Sequence, residues 1–351
     1  MSKSLPPIDE TFPTAPLCPA GEHPCTKPRP RIALLSNPKS TGNLAQLPRI
    51  REYCADHPDV FHYEVEHAYQ IGEAMKIIAR VRPRVLAING GDGTVQTALT
   101  ELFNGGHFGD EPPPVAVLPG GKTNLIALDL GAKGDPIETL EQLIKLARTD
   151  DLKPYTVARE LIALRRGESG DKPVIGMFLG GAGLADTMLY CRDKIYPLGL
   201  PNGMSHALTF VAFIVRLMLK AKASFLPPPP EPTELVFRER ARLSGRFSVL
   251  VVTTLEKMLL SSDMGGQGHG PLKLVAIEER ASSVFRGFFA GLVGGYKGQK
   301  MPGVHFAEVD EITIESGNSH VILDGETFHA ERGSSINLTP AQPLSFVKLA
   351  A

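Results

Sequence analysis

Apolar residues form short unbroken runs in the first half of the chain, and glycine-rich turns interrupt them. The run Val85–Ile88 is followed by Gly90, Gly91 and Gly93 around one carboxylate, and apolar residues then recur at helical spacing. This pattern predicts a buried strand, a tight turn and a helix. Backbone N–H groups and the positive end of the helix meet at such a turn, so the turn suits phosphate.

Two further segments repeat this order of strand, polar turn and helix. Ile32–Leu35 is followed by the polar stretch 36–43, and Val115–Pro119 is followed by Gly120–Asn124. Strands that alternate with helices predict a parallel sheet. Because the loops at the carboxyl ends of parallel strands form the ligand crevice, we expect the two glycine turns to face one ligand.

After about residue 155 the pattern changes to many short strands with few helices between them, which predicts an antiparallel β-sandwich. The predicted strands are Leu161–Arg165, Val174–Leu179, Glu234–Arg240, Arg246–Thr253, Leu272–Ile277, Glu311–Ser316, Ser319–Leu323 and Ile336–Leu338. The chain is therefore expected to have a proline-rich tail at 1–30, an α/β domain with a parallel sheet at 31–156 and a mainly antiparallel β domain at 157–351. The last strand is free to return to the first domain.

One apolar helix is expected inside the β domain, at about 204–223. Its unbroken apolar run is well short of the roughly 20 residues of a transmembrane span. Two interpretations remain open: a helix packed in the core, or an interfacial helix that covers a lipid pocket. The stretch 285–292, followed by Lys297 and Lys300, allows the same two interpretations.

Composition and charge narrow the choice of partners. The 351 residues and 42% hydrophobic content are enough for two globular domains. A formal net charge of −1 gives no general attraction to nucleic acid, so no nucleic-acid partner is expected. Four scattered cysteines predict reduced, intracellular thiols, and Cys18, His23 and Cys25 do not have a standard zinc spacing. Residues 1–16 lack the pattern of a signal peptide, so secretion is not expected.

Four motifs occur in an order that is typical of one kinase family: Asn37–Ser40, Asn89–Thr94, Leu118–Leu125 and Leu323–Glu326. By this order and spacing the chain resembles the diacylglycerol kinase catalytic-domain family over about residues 31–350. That family includes bacterial diacylglycerol kinases, related bacterial lipid kinases, and sphingosine and ceramide kinases. The motif Gly-Gly-Asp-Gly-Thr alone would also match nicotinamide dinucleotide kinases and phosphofructokinase-like enzymes.

The resemblance implies an ATP-dependent lipid kinase whose α/β domain binds nucleotide and whose active site lies between the two domains. Such an enzyme would transfer the γ-phosphoryl group to a hydroxyl of a diacylglycerol-like or long-chain-base lipid, with ATP and Mg²⁺ as cofactors. Phosphoryl transfer depends on positioning and charge neutralisation more than on covalent help from the protein. We expect the nucleotide to contact Asn37, Gly90, Gly91, Asp92, Gly93, Thr94, Thr123 and Asn124.

Three carboxylates carry the predicted chemistry. Asp92 can face phosphate usefully only through a cation, so it is assigned to Mg²⁺, directly or through water. By resemblance, Glu326 is the base that accepts the proton of the lipid hydroxyl, and Asp324 is its neighbour or a magnesium contact. Structural alternatives remain open, since Asp92 suits a helix N-cap, Asp324-Gly325 suits a hairpin turn, and Thr123 and Asn124 suit the start of a helix.

Two stretches depart from the family pattern. The family's second glycine turn commonly reads Gly-Thr-Gly-Asn-Asp or Gly-Thr-Ala-Asn-Asp, whereas this chain has Gly120–Leu125 with a lysine at position 122. Lys122 either neutralises phosphate charge or points to solvent. Bacterial members also carry an Asp-Asp-Gly-x-Leu-Asp stretch linked to a structural magnesium. Residues 268–274 contain no carboxylate, so that site is expected to be missing, with Lys273 as an internal cation in its space.

The sequence leaves three functions open. The first is a lipid kinase, cytoplasmic and peripherally associated with the inner membrane, where it meets its lipid substrate. The second is a soluble kinase that acts on a dinucleotide or a small polyol, and the third is a lipid-binding protein that has lost phosphoryl transfer. An apolar acceptor pocket would favour the first, and a polar cleft the second. The sequence does not decide whether the chain forms a homodimer.

Overall fold

The computed structural model describes residues 31–132, 134–149, 151–167, 171–219, 223, 225–238, 241–256, 270–292, 301–316, 320–329 and 334–349. The expectations for residues 1–30, including the Cys18, His23 and Cys25 cluster, lie outside these ranges, as do those for 268–269, Lys297 and Lys300. Cys54 and Cys191 are buried, free thiols.

Helices and strands alternate in the first part of the chain, and strands predominate afterwards. The helices of the described residues are α1 (Asn43–Asp56), α2 (Ile71–Val81), α3 (Asp92–Asn104), α4 (Leu125–Asp129), α5 (Pro136–Ala147), α6 (Gly183–Tyr190), α7 (Asn202–Leu219) and α8 (Ala281–Leu292). The strands are β1 (Ile32–Ser36), β2 (Val60–Glu64), β3 (Val85–Gly90), β4 (Val115–Pro119), β5 (Thr156–Arg166), β6 (Val174–Gly176), β7 (Phe178–Gly181), β8 (Pro232–Phe237), β9 (Arg242–Thr253), β10 (Leu272–Glu278), β11 (Val304–Val309), β12 (Ile312–Ser316), β13 (His320–Leu323), β14 (Glu326–His329) and β15 (Ile336–Val347).

Strands β1 to β4 form a parallel sheet in the order β4-β3-β1-β2. Helices α2 and α3 cover one face of the sheet, and α1 and α5 cover the other. Because both faces are covered, the three strands β1, β3 and β4 are almost continuously apolar. Their register places Ser36, Asn89 and Leu118 side by side at the carboxyl edge of the sheet.

The later strands pair in antiparallel fashion, except where β15 meets β4. Apolar side chains of β5, β8, β12 and β15 pack against those of β7, β9, β10 and β13 in one core. Strand β9 belongs to both layers, because its first half pairs with β8 and its second half with β7 and β10. The predicted fold class, an α/β region with a parallel sheet followed by a mainly antiparallel β region, is confirmed.

Strand β15 connects the two parts of the fold. It pairs along most of its length with β5, and Phe346 near its end lies beside Val115 of β4 in parallel orientation. The C-terminal strand therefore joins the edge of the parallel sheet. The domain boundary at 156–157 stays a prediction.

Some strands differ from the sequence prediction. The predicted strand Val174–Leu179 is two strands, β6 and β7, which are separated at Met177. Strands β11 and β14 are not predicted, because their side chains are only partly buried and their hydrophobic patterns are weak.

Helices α6, α7 and α8 lie over the face of β9 and β10 that points away from the sandwich core. Phe213 and Leu217 of α7 and Val284 of α8 pack there against Val251 and Ile277. Much of α7 nevertheless carries exposed apolar side chains. Within the described ranges, no helix has the length and apolarity to cross a membrane.

Candidate active site

The first glycine turn, Gly90–Thr94, lies at the carboxyl edge of the parallel sheet. Asn37 follows β1, and its backbone N–H donates to the carbonyl of Asn89 at 2.9 Å. The side-chain amide of Asn37 donates to Oγ1 of Thr94 at 2.9 Å. Asn43 donates to the carbonyls of Asn37 and Asn89 at 2.8 and 3.0 Å. Asn37 and Thr94, both predicted to contact nucleotide, therefore belong to one hydrogen-bonded network.

The glycines of this turn are surrounded by protein atoms. A Cβ on Gly90 would lie 2.7 Å from the Cβ of Thr94, and a Cβ on Gly93 would lie 2.5 Å from Oε1 of Glu326. A side chain at position 90 therefore does not fit beside Thr94, whereas a side chain at position 93 would displace the Glu326 carboxylate. Packing within the protein therefore requires glycine at position 90, in addition to any approach of a ligand.

Two N–H groups that were expected to hold phosphate have partners inside the turn. The N–H of Gly91 donates to Oγ of Ser40 at 3.2 Å, and the N–H of Thr94 donates to the carbonyl of Gly91 at 2.9 Å. A phosphate oxygen at Gly91 would have to replace the Ser40 hydroxyl.

Asp92 is the first residue of α3, but its carboxylate lies at the start of a different helix, α4. The N–H groups of Leu125 and Ile126 donate to its two oxygens at 3.4 Å each. The N-cap of α3 is Gly91. Burial raises the pKa of Asp92, and the N–H donors of α4 oppose this rise. Asp92 thus connects the first glycine turn to the second.

The second glycine turn, Gly120–Asn124, packs against the first. A Cβ on Gly120 would lie 2.8 Å from Oδ1 of Asn89. The N–H of Gly121 donates to Oδ1 of Asn124 at 2.7 Å, and Nδ2 of Asn124 donates back to the Gly121 carbonyl at 2.9 Å. Asn124 has a φ of 54°, a left-handed conformation that asparagine tolerates. The predicted residue Asn124 therefore shapes this turn.

A hairpin brings Glu326 to the first glycine turn. Asp324 and Gly325 form the turn between β13 and β14, with φ values of 48° and 92°. Glu326 is exposed, and its Oε1 lies against Gly93. The hairpin interpretation of Asp-Gly is thus right for the local structure, and the same hairpin also places a carboxylate at the expected position.

Asp324 holds the hairpin in place. It is only 3% exposed, and its two oxygens accept hydrogen bonds from the N–H groups of Met177 and Phe178 at 2.8 and 2.9 Å. Burial, together with the nearby charge of Asp92, raises the pKa of Asp324 to about 8, although the two N–H donors oppose the rise. Met177, where β6 and β7 are interrupted, supplies one of these two N–H donors.

Helix α3 fixes the segment that binds Asp324. The N–H of Ile175 in β6 donates to Oγ1 of Thr100 at 3.0 Å, and Nε2 of Gln96 donates to the Ile175 carbonyl at 3.3 Å. Because α3 begins at the first glycine turn, these bonds set the distance between that turn and the hairpin.

An apolar cavity of about 750 Å³ starts beside the hairpin. Gly325, Lys122 and Thr123 lie in its wall, so it borders both the hairpin and the second glycine turn. The sheet and helices α6, α7 and α8 supply its apolar wall, which includes Leu184, Met188, Phe210, Phe213, Ile277 and Phe288. Thr123, which was expected near the nucleotide, is exposed and lies in this wall.

The sequence model of the diacylglycerol kinase catalytic domain matches residues 31–153. Over this segment the chain is similar to that family. The predicted resemblance to this family is thereby confirmed. No curated protein sequence matches the chain significantly.

Solved structures with the same fold extend the similarity beyond that domain. A candidate diacylglycerol kinase from Bacillus anthracis str. Sterne is 14% identical with a TM-score of 0.62, over 91% of this chain and 97% of that chain. A diacylglycerol kinase structure and another candidate from the same strain have TM-scores of 0.57 and 0.59, with the same identity and coverage. At this level of identity the similarity establishes the fold.

The candidate site offers magnesium one or two carboxylates. Mg²⁺ is usually held by one or two carboxylates together with waters and substrate phosphates. Asp92 is partly exposed beside the first glycine turn and fits this role. Asp324 is close enough for the charge of Asp92 to raise its pKa, but both of its oxygens already accept backbone N–H groups. Among the described residues, no group of three His, Cys, Asp or Glu is placed to hold a metal.

The candidate site also depends on residues that the motifs do not mark as functional. Ser40 falls within the first quoted motif, so its position was available from the sequence. Asn43 lies outside the motifs and has no such signal. The segments that build the cavity are apolar in sequence but give no indication that they enclose one space.

Proposed function

We propose that this protein is an ATP-dependent lipid kinase that transfers the γ-phosphoryl group to a hydroxyl of a diacylglycerol-like or long-chain-base lipid. The observation that carries the proposal is the apolar cavity beside the hairpin, since its wall includes Gly325, the residue next to Glu326. A lipid tail in the cavity would leave its hydroxyl end between Glu326 and the first glycine turn.

The proposed chemistry divides between the glycine turns and the hairpin. The first turn and the start of α3 hold the phosphates of ATP, because N–H groups at a helix start favour negative charge. Asp92 and the phosphates would hold Mg²⁺, which would supply neutralisation of the charge that develops during transfer. Glu326 accepts the proton of the lipid hydroxyl as the hydroxyl oxygen bonds to the γ-phosphorus, and the bond from that phosphorus to the bridging oxygen breaks to release ADP. Asp324 holds the hairpin that carries Glu326.

A soluble kinase with a polyol or dinucleotide acceptor is less well supported. Such an acceptor would need a polar cleft lined by several hydrogen-bonding groups, because a buried polar ligand group without partners is costly. The cavity next to the hairpin is mostly apolar. It therefore favours an acceptor with a hydrocarbon tail.

Incubation with labelled ATP, Mg²⁺ and a total lipid extract tests the proposal. We expect label in the lipid phase, with more product when diacylglycerol or a long-chain base is added. A panel of polyols and dinucleotides, assayed in parallel, should remain unlabelled. Label in that panel would support the soluble kinase, and the absence of label from every acceptor would support a non-catalytic lipid-binding protein.

We further propose that the cavity faces a membrane surface. Phe210 and Phe288 line the cavity and are also 44% and 39% exposed, so the cavity wall is continuous with the outer surface. Around them α7 and α8 carry the exposed side chains Met204, Leu208, Val211, Val215, Met218, Leu219, Phe285 and Phe289. An apolar patch of this extent is typical of a membrane or protein contact. A lipid acceptor enters most directly from a bilayer that contacts this patch, which would make the enzyme a peripheral membrane protein of the cytoplasmic side.

The variants Val211→Glu and Phe289→Glu test this surface by co-sedimentation with phospholipid vesicles. Each residue is more than half exposed, so the fold should tolerate the change. Loss of the transfer free energy of one large apolar side chain should weaken vesicle binding by about tenfold or more. Tyr155→Glu, at an exposed site away from α7 and α8, is the control. Equal vesicle binding by all three variants would contradict the assignment.

A further inference from the structure

The charged residues in the wall of the apolar cavity beside the hairpin all have the same sign of charge. Among the described residues in its wall, Lys122 and Arg192 are the charged ones, His206 is a third basic side chain, and none is a carboxylate. The remainder of the wall is mainly apolar. A plain neutral lipid would need no cation at this site.

Lys122 lies in the cavity wall with its ammonium group over the ring of Tyr196. Its Nζ lies 4.2 Å from the centroid of the Tyr196 ring, and Tyr196 is itself part of the cavity wall. A lysine over a tyrosine ring is held by a cation–π interaction, which keeps the ammonium close to the ring but leaves N–H donors free to bind an anion. The residue that departs from the family pattern therefore presents its charge to the acceptor.

Arg192 lies four residues before Tyr196, in the same turn of helical chain that follows α6. Its Nε lies 3.4 Å from Oδ1 of Asp193, and both side chains are more than half exposed. An exposed pair of this kind is weak, so the guanidinium can exchange it for a ligand anion. Arginine is well suited to phosphate and carboxylate groups because its planar donors bind two oxygens at once.

We infer that Lys122 and Arg192 bind an anionic group of the acceptor lipid, close to its reacting hydroxyl. The preferred acceptor is then an acidic lipid that carries both a phosphate or carboxylate and a free hydroxyl in its head group. Thr123 and Gly325, which lie in the same wall, place this anion subsite between the second glycine turn and the hairpin. The inference rests on the proposed lipid kinase function and specifies its substrate.

The test uses two acceptors with the same tails, dioleoylglycerol and dioleoylphosphatidylglycerol, in neutral phosphatidylcholine vesicles. Both have a free hydroxyl, and only the second carries an anion beside it. The wild-type enzyme should prefer dioleoylphosphatidylglycerol. Lys122→Met should lower the kcat/KM for that lipid about tenfold, the effect of losing one charge-assisted hydrogen bond, and should lower the kcat/KM for dioleoylglycerol by a clearly smaller factor. Arg192→Met should have the same selective effect.

Controls separate this subsite from other uses of the charge. Lys76→Met removes an exposed lysine of α2 that pairs with Glu73, and it should alter neither acceptor. If Lys122→Met raises the KM for ATP with both acceptors, the lysine serves the nucleotide and the inference is wrong. If it slows dioleoylglycerol only in vesicles that contain phosphatidic acid, the cations bind the bilayer, which also overturns the inference.

A binding measurement keeps the inference separate from the kinase function. Calorimetry with the soluble lipids dihexanoylglycerol and dihexanoylphosphatidylglycerol requires no turnover. Tighter binding of the anionic lipid, lost in Lys122→Met, would support the subsite even if no lipid is phosphorylated. Equal affinities for the two lipids in the wild-type protein would overturn it, whatever the outcome of the kinase assay.

Discussion

The candidate site has a proposed nucleotide side, at the glycine turns, and a proposed acceptor side, at the cavity, and the two sides consist of different chemical groups. On the nucleotide side, backbone groups and short polar side chains such as Asn37 and Thr94 are fixed by the register of the parallel strands. On the acceptor side, apolar side chains from α6, α7 and α8 enclose a cavity over a sheet. In the proposed function, the first side would recognise phosphate through close, directional contacts, whereas the second would recognise a ligand through shape and apolar surface.

The two sides meet at the β13–β14 hairpin. Glu326 on this hairpin lies against Gly93 of the first glycine turn, and Gly325 next to it lies in the cavity wall. Asp324 holds the hairpin by accepting N–H groups of Met177 and Phe178. Changes at the hairpin should therefore affect catalysis most, and changes further into either side should have smaller and more selective effects.

The largest effect is expected for Glu326→Gln, at the meeting point. Removing a positioned base should lower kcat by about 10² to 10⁴ and leave lipid and nucleotide binding largely intact. Glu326 is exposed, so the thermal unfolding temperature should stay close to that of the wild type. Glu315→Gln, at an exposed position on β12, is the control for loss of a carboxylate. Near-normal turnover of the Glu326 variant would remove Glu326 from the role of base.

On the nucleotide side, Asp92→Asn should mainly change the need for metal. Loss of one carboxylate should raise the Mg²⁺ concentration for half-maximal rate by about 10- to 100-fold, the range found when groups that support a metal site are removed. The amide oxygen can still accept an N–H of α4, so the fold should persist. Titration of the rate with Mg²⁺ at saturating ATP measures the effect, with Asp110→Asn as an exposed control. An unchanged Mg²⁺ dependence would argue that Asp92 only connects the two glycine turns.

Gly93→Ala tests the contact between the two sides without removing any charge. The new Cβ would come within 2.5 Å of Oε1 of Glu326, so the carboxylate must move. Because a displacement of about 1 Å in a reacting group can cost 10²-fold in rate, kcat should fall by about that factor while the KM for ATP changes little. Gly203→Ala is the control, since a Cβ at Gly203 in α7 meets no atom within 4 Å. Equal rates for the two variants would place Glu326 elsewhere during the reaction.

The glycine turns can be predicted from the sequence more readily than the cavity, and the reason is physical. Phosphate binding at a strand–turn–helix junction needs particular residues at fixed spacing, so Gly90–Thr94 and Asn37 can be recognised in the sequence. The hairpin turn at Asp324–Gly325 is equally local. In contrast, the contact of Asp92 with α4 and that of Glu326 with Gly93 depend on how distant segments pack. Neither follows from spacing alone.

Residue patterns do not predict which side chains of β9 face the cavity. Strand alternation counted back from Val252 would place Ser248 in the sandwich core. A register shift opposite Ile277 and Glu278 adds one residue to β9, so Ser248 and Val249 both line the cavity. A bulge of this kind redirects a side chain without any clear mark in the sequence. Likewise, the apolar sequences of α7 and α8 are compatible with a helix in the core or with a helix at the surface. The packing of neighbouring segments decides between the two.

The smallest effect is expected for a contact between β13, the strand that leads into the hairpin, and helix α6. Nε2 of His320 in β13 lies 2.9 Å from Oδ1 of Asp186 in α6. The close contact with Asp186, and then the charges of Asp186 and Glu231, raise the pKa of His320 above its ordinary value, although burial opposes the rise. Because the pKa of His320 is higher in the folded state than in the unfolded state, protonation of His320 stabilises the fold. This stabilisation is complete below the unfolded-state pKa of about 6.5 and is lost as the pH rises through the folded-state pKa.

Asp186→Asn should therefore lower the thermal unfolding temperature more at about pH 5.5 than at about pH 9, and should return the pKa of His320 toward about 6.5. Since His320 is partly exposed, the loss of stability at low pH should be no more than about 1 kcal/mol. NMR titration of the His320 ring and thermal unfolding at the two pH values measure the two effects. An equal loss of stability at both pH values would mean that Asp186 supports α6 by packing. The ion pair would then not be what joins α6 to β13.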